Sequence, residues 1–175
     1  MQESLRRKFL PLLLTGLVVL ADQITKWLVS ILVKPWTVGF TIWDDFFRII
    51  HVYNPGIAFS IGGSLSDSVR GVLFGLMPLL VIVIVLIVYF RSDEFSVLQR
   101  WCIAGIIGGG LGNLIDRFFR AEGVLDFLDV KFYGIFGLER WPTFNIADSS
   151  VVICGIILML SLVLGIRERK DESDE

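Results

Sequence analysis

The stretch Gly71–Phe90 carries no charged residue, and three other runs, about 9–30, 101–119 and 146–166, are nearly as apolar. Each approaches the ~20 residues that a helix needs to cross the hydrocarbon core of a bilayer. Inside lipid every backbone N–H and C=O must be bonded within the protein, so an apolar run of this length folds as a helix. The chain is therefore expected to be an all-α membrane protein: four transmembrane helices, about 9–30, 69–90, 101–119 and 146–166, in a single integral domain spanning 1–175. A hydrophobic content of 54% and a mean hydropathy of +0.73 exclude an ordinary soluble domain. A net charge of −2 says nothing about nucleic acid, and no basic patch supports it as a partner, so none is expected.

The first run imitates a secretory signal peptide, with a basic start followed by FLPLLLTGLVVLA. It is too long for a signal core and lacks an A-x-A-like cleavage site, so it reads as an uncleaved helix. Basic residues then set the orientation. Arg6, Arg7, Lys8, Arg91, Arg100, Arg167, Arg169 and Lys170 flank the spans on one side. Lys34, Arg48, Arg120, Lys131 and Arg140 are spread over the two longer loops on the other. Both termini are thus expected in the cytoplasm, with the loops 31–68 and 120–145 outside and the tail 167–175 disordered.

The first outer loop is not ordinary loop material. Over 36–61 aromatic and β-branched residues alternate with polar ones, which predicts a small β-rich element on the membrane surface. It ends in the turn Asn54-Pro55-Gly56, and a glycine-serine link, 62–68, follows. Two readings stay open for Trp36–Ser60: a movable platform over a site, or a fixed sheet shielding the helix ends. His51, the only histidine, is read as a surface or packing residue. In the third run, Gly105/Gly109 and Gly108/Gly112 have the small-xxx-small spacing that lets helices approach closely. No strand precedes these glycines and no Lys-Ser/Thr follows, so they form no phosphate loop. Cys102 and Cys154 are read as unpaired apolar residues near opposite ends of their spans.

The remaining signal is polar residues where lipid should be. A charge in hydrocarbon is expensive unless paired or facing a polar cavity, so such residues are functional candidates. Asp22 and Lys26, four apart, share a helix face and can pair, with Lys26 snorkelling to the interface as the bland alternative. At ~1.5 Å per residue, Asp22 and Asn113 reach a similar depth in the outer half of the bilayer. Asp116 and Arg117 follow one turn higher and are read as a pair. Asp126 comes as the third helix emerges, Asp148 opens the fourth, and Asp129 is read equally as a solvated loop acid. No Cys/His/Glu cluster has metal spacing, so no metal or other cofactor is expected. What is in surplus is aspartate. Two carboxylates held together share a proton; the ionised one can activate water while the protonated one polarises a carbonyl. Spacing alone does not choose Asp126 and Asp148 over Asp116 and Asp148.

Five blocks go further: ADQITK (21–26), YNPGIAFS (53–60), GGGLGNLIDR (108–117), VLDF (124–127) and FNIADS (144–149). In this order and on a four-helix frame, the set resembles lipoprotein signal peptidase, the bacterial signal peptidase II family. Leu125 and Ile57 stand where valine and alanine are more usual, and the segment 131–143 matches no block. The resemblance implies an aspartyl endopeptidase with Asp126 and Asp148 as the catalytic pair. It also implies that Asp22, Lys26, Asn54, Asn113, Arg117 and Asn145 shape or support the site. The implied substrates are prolipoproteins carrying diacylglycerol, cut just before the lipidated cysteine at the outer face of the inner membrane. Globomycin-like peptide inhibitors are implied as well. A small ion-coupled transporter is the runner-up, but no half of the chain repeats the other and the polar layer is off-centre.

Overall fold

The structure, a computed structural model, describes residues 2–56, 69 and 71–171. The second half of the YNPGIAFS block (57–60), the link 62–68 and the end of the acidic tail (172–175) lie outside the described residues. Four helices are long and apolar enough to cross a membrane, and a four-stranded sheet sits at one end of their bundle. The expected architecture is thus the observed one, with differences at the helix ends and in the sheet.

The first span comes in two pieces, α1 (Gln2–Phe9) and α2 (Leu12–Leu32). The break falls at Leu10-Pro11, because proline has no N–H to donate and its ring crowds the preceding turn. The second span opens with a π-helical turn, Val72–Leu76, that passes into α3 (Met77–Arg91). Pro78 sits where the ladder changes from one helix type to the other, a place where its missing N–H costs little. The third, α4 (Val97–Phe119), begins before the expected 101 because Ser96 and Gln99 form a capping box. Arg100, in its first turn, is buried and donates to the Tyr89 and Ser92 carbonyls at 3.1 and 2.8 Å, closing the end of α3. The fourth, α5 (Ile146–Asp171), runs beyond 166, through RERKD, whose Arg, Glu and Lys are good helix formers.

Helix α4 is the core of the bundle and packs on α2, α3 and α5. Over half of its span, 56%, is buried, against 6% for α5, so α5 meets the bundle through one narrow face. That face works because α4 offers glycine. A Cβ on Gly109 would strike the Ala147 carbonyl of α5, and one on Gly108 would lie 3.0 Å from the Thr15 carbonyl of α2. The small-residue spacing therefore serves two helices at once. It also corrects the reading of the cysteines: the Cys154 sulfur lies against Gly105, one turn from Cys102, so the two are close in depth rather than at opposite ends. Both are free thiols.

The sheet contains strands β1 (Val38–Ile42), β2 (Phe47–Asn54), β3 (Val124–Ile135) and β4 (Leu138–Arg140), antiparallel in the order β1-β2-β3-β4. Half of it comes from the second outer segment, which the sequence reading leaves as loop. The reason is visible in VLDFLDV: its aspartates are three apart, not two, and both are buried, so the strand shows no polar-out alternation. The unassigned segment 131–143 supplies the β3–β4 hairpin. Its two-residue turn, Phe136-Gly137, has φ of 54° and 77°, the left-handed pair that a type I′ hairpin requires.

Asp129 is not a solvated loop acid. It lies on β3, 4% exposed, and accepts Arg140 Nε at 2.6 and 2.8 Å. Arg140 also reaches the Asp45 carbonyl at 3.2 Å, and Asp45 is clamped by Arg48 across the β1–β2 turn. These ion pairs tie the two hairpins together, so residues 38–54 of the proposed platform are knit into one sheet. His51 is a packing residue: buried on β2, it bonds the Val33 carbonyl through Nδ1 at 2.7 Å and fastens the sheet to the end of α2. Val29 and Val33 of α2 complete that junction against Leu125 and Phe127 of β3.

Candidate active site

Two aspartates meet where β3 and α5 enter the bundle. Asp126, 2% exposed, follows the buried Val124 and Leu125 on β3. Asp148 is the third residue of α5, and the cap of that helix fixes its position. Asn145 Oδ1 accepts the Asp148 N–H at 2.9 Å, while Asp148 Oδ2 accepts the Asn145 N–H at 3.1 Å. This is the reciprocal geometry of a capping box, so the FNIAD block sets one carboxylate through helix-capping rules.

Two amides bridge the carboxylates. Asn145 Nδ2 donates to Asp126 Oδ1 at 2.8 Å and to Asn113 Oδ1 at 3.0 Å. Asn113 Nδ2 in turn donates to Asp148 Oδ1 at 2.7 Å. Asn54, the last residue of β2, donates to Asp126 Oδ2 at 3.2 Å, and its own Oδ1 accepts the Gly56 N–H at 3.1 Å, the turn that Asn54-Pro55-Gly56 predicts. Asn54, Asn113 and Asn145 come from three different parts of the chain, and each touches one or both carboxylates.

Below lies a second polar cluster. Lys26 is fully buried and pairs with Asp22 at 2.8 Å and with Asp116 at 2.9 Å. The expected Asp22–Lys26 pair is present, but Lys26 does not snorkel: it turns inward. Asp116 is not the partner of Arg117 either. It pairs with Lys26 and with Arg120 at 3.0 Å, while Gln23 donates to it at 3.3 Å. Arg117 instead donates to the Gly56 carbonyl at 3.2 Å, with its guanidinium 5.4 Å from the centre of the Phe74 ring. The reason is helical geometry, since adjacent residues on a helix point about 100° apart and only i+3 or i+4 neighbours face each other. The sequence reading gives neither Gln23 nor Arg120 a place in the site. Gln23 sits between Asp22 and Lys26 in the first block, and Arg120 is four residues beyond Asp116, a spacing that could have revealed it.

Charge counts matter in such a layer. Among the described residues, four carboxylates (Asp22, Asp116, Asp126, Asp148) face three cations (Lys26, Arg117, Arg120). The layer is neutral when one carboxyl keeps its proton, and burial of unbalanced charge is costly. Burial, reinforced by the negative charge of Asp148, pushes Asp126 up to about 7, against the opposing pull of its bonds to Asn54 and Asn145.

The pair opens on a groove of about 650 Å³. Asn113 and Arg117 line it, Trp141 to Phe144 form one wall, and Val152 and Ile153 of α5 extend it along the apolar helix surface. An arrangement of this kind can hold an extended peptide against two neighbouring carboxyls. No group of three or more potential metal-ligating His, Cys, Asp or Glu side chains occurs among the described residues.

Comparison with known proteins agrees with this architecture. The sequence pattern of the family described as "Signal peptidase (SPase) II" matches residues 14–164. The lipoprotein signal peptidase of Treponema pallidum is 52% identical over 158 residues, covering 90% of this chain and 85% of that protein. That of Treponema denticola is 48% identical over 165 residues, covering 93% and 94%. A solved bacterial membrane enzyme superposes with a TM-score of 0.75 at 28% identity, covering 94% of this chain and 90% of the other. The match begins in α2, takes in both aspartates and their asparagines, and ends in α5: the chain belongs to the signal peptidase II family.

Proposed function

We propose that the chain is an aspartyl endopeptidase that removes signal peptides from diacylglyceryl-modified prolipoproteins, cutting just before the lipidated cysteine. The observation that carries this reading is the pairing of buried Asp126 with half-buried Asp148, bridged by Asn145 and Asn113 at the side of a groove with an apolar wall. In the proposed reaction Asp148 takes a proton from water while protonated Asp126 donates to the scissile carbonyl. Hydroxide adds to the carbonyl carbon; Asp148 then passes its proton to the leaving nitrogen as the C–N bond breaks, and Asp126 takes back the proton from the collapsing gem-diol. One water is consumed and the pair ends with its single proton. Arg6, Arg7, Lys8, Arg91 and Arg100 flank the spans at the end of the bundle away from the sheet, close to the membrane, which supports cytoplasmic termini and a site at the outer face of the inner membrane. The same groove is the proposed seat of globomycin-like inhibitors.

The direct test is incubation of the purified protein in detergent with a prolipoprotein, with and without the diacylglyceryl group. Only the lipidated form is expected to be shortened, to a product beginning at the modified cysteine. Equal cleavage of both forms, or cleavage elsewhere, contradicts the reading.

The pH dependence has a definite sign. With Asp126 near 7, raising the pH removes the one shared proton and leaves two carboxylates, neither able to polarise a carbonyl. Above that point kcat/KM of the free enzyme is expected to fall about tenfold per pH unit. A flat profile from pH 6 to 9 would contradict a one-proton pair.

Arg117 retains donors that face the groove beyond its bond to Gly56. Its proposed role is to hold a substrate carbonyl or a lipid phosphate oxygen, a task for a planar fork rather than a point charge. Arg117→Lys is expected to lower kcat/KM about tenfold with the thermal midpoint nearly unchanged. Wild-type kinetics in this variant would make Arg117 a fastener of the Gly56 turn only.

A further inference from the structure

Lys26 has three N–H donors, and the structure accounts for all of them: Asp22 Oδ2 at 2.8 Å, Asp116 Oδ2 at 2.9 Å and Asn113 Oδ1 at 3.1 Å. The two carboxylates that it bridges have a second task. Asp116 Oδ2 also accepts the backbone N–H of Leu125 at 3.1 Å, and Asp22 Oδ1 accepts that of Ala147 at 3.0 Å. Leu125 immediately precedes Asp126, and Ala147 immediately precedes Asp148. The third donor leads to the same place, because Asn113 passes its own N–H to Asp148 at 2.7 Å. Lys26, Asp22 and Asp116 are each 0% exposed.

We propose that Lys26 is a positioning residue for the aspartate pair: one buried ammonium, acting through Asp22 and Asp116, clamps the peptide amides that carry Asp126 and Asp148 and so fixes the two carboxyls relative to each other. The inference rests on the aspartyl peptidase reading and deepens it. Asp126 rides on a strand and Asp148 on a helix, so something must register one element on the other. A displacement of ~1 Å between reacting groups is enough to cost about a hundredfold in rate. Backbone amides held by buried carboxylates are suited to that task, because a main-chain N–H has no rotamer freedom of its own. The clamp also belongs to the charge layer around the pair, which consists of Asp22 and Lys26 from α2, Asp116 and Arg117 from α4, and Arg120 just past its end. Removing one of its charges must change how tightly the pair holds its proton.

Asp116→Asn separates positioning from mere stability. Asparagine keeps an oxygen for the Leu125 N–H but loses the charge that binds it to Lys26. Per folded molecule, kcat is expected to fall about tenfold or more with KM within about twofold. The alkaline limb of the pH profile should move down, because one negative neighbour of the pair is gone. Asp22→Asn, on the Asp148 arm, should do the same, and Lys26→Met should lower kcat while moving the limb up. Should Lys26→Met fail to fold, the two asparagine variants decide the matter. Reduced yield or thermal midpoint with an unchanged kcat and pH profile overturns the proposal. Failure of the wild-type protein to cleave a lipidated precursor strikes the peptidase reading itself, whatever the variants do.

Discussion

Asp126→Asn and Asp148→Asn are each expected to reduce cleavage of a lipidated prolipoprotein by about 10³-fold or more, while the protein still folds and purifies from membranes. An asparagine at 126 can still accept Asn145 Nδ2 and one at 148 can still accept Asn113 Nδ2, so the bridging amides keep a partner. What disappears is the shared proton, and with it the ability to activate water and polarise a carbonyl in the same step. Asp129→Asn makes the contrast, because Asp129 is buried like Asp126 and lies three residues further along the same strand. It is bound to Arg140 in the sheet and does not touch the pair, so its loss is expected to lower stability while folded molecules still cleave. The measurement is single-turnover cleavage per folded molecule in detergent, with circular dichroism as the check on folding.

Gly109→Ala should be the most damaging single-methyl change in the bundle. The added Cβ would run into the Ala147 carbonyl and would lie 2.7 Å from Val151 Cγ2. A carbonyl of the helix backbone cannot step aside by changing rotamer, so α5 itself must shift, and α5 carries Asp148. Overpacking of this kind costs about 3 kcal/mol, and the displaced carboxylate is expected to cost a further large fraction of activity. Gly110→Ala, one residue along, meets only the Ile82 Cδ1 tip at 2.9 Å, and Gly155→Ala meets nothing within 4 Å. Thermal midpoints and cleavage rates of the three variants check the order, with Gly109→Ala far below the other two. Equal behaviour at 109 and 110 would remove the basis for placing α5 by backbone contact.

The spans were legible because hydropathy over 20 residues has one structural meaning in lipid. Their ends were not, because ends depend on single residues: Pro11 breaks the first span, and Ser96 with Gln99 starts the third earlier than its apolar run suggests. β1 and β2 could be foreseen from the aromatic alternation of 36–61. β3 could not, because a strand buried on both faces and carrying Asp126 and Asp129 has no periodicity to detect. The residues around the aspartate pair were legible as types out of place in lipid, but their partners were not. Lys26 is readable as the partner of Asp22, and Asp116 reads as the partner of Arg117, whereas folding also joins Lys26 to Asp116 across two helices. That bond has no local spacing to announce it. The link between Asp22 and the Ala147 amide spans most of the chain and could be seen only after α2 and α5 were brought together.

The central claim is that Asp126 and Asp148 act as one unit, and the rate of the double variant tests it most directly. Asp126→Asn, Asp148→Asn and the combined variant should be compared on the same lipidated prolipoprotein, each confirmed as folded. Residues that act together lose their function together, so all three are expected to share one floor, with the double variant no slower than either single one. Losses that multiply, or a single variant that keeps a tenth or so of the wild-type rate, would mean that the two aspartates contribute separately and that the pair is not the catalytic unit.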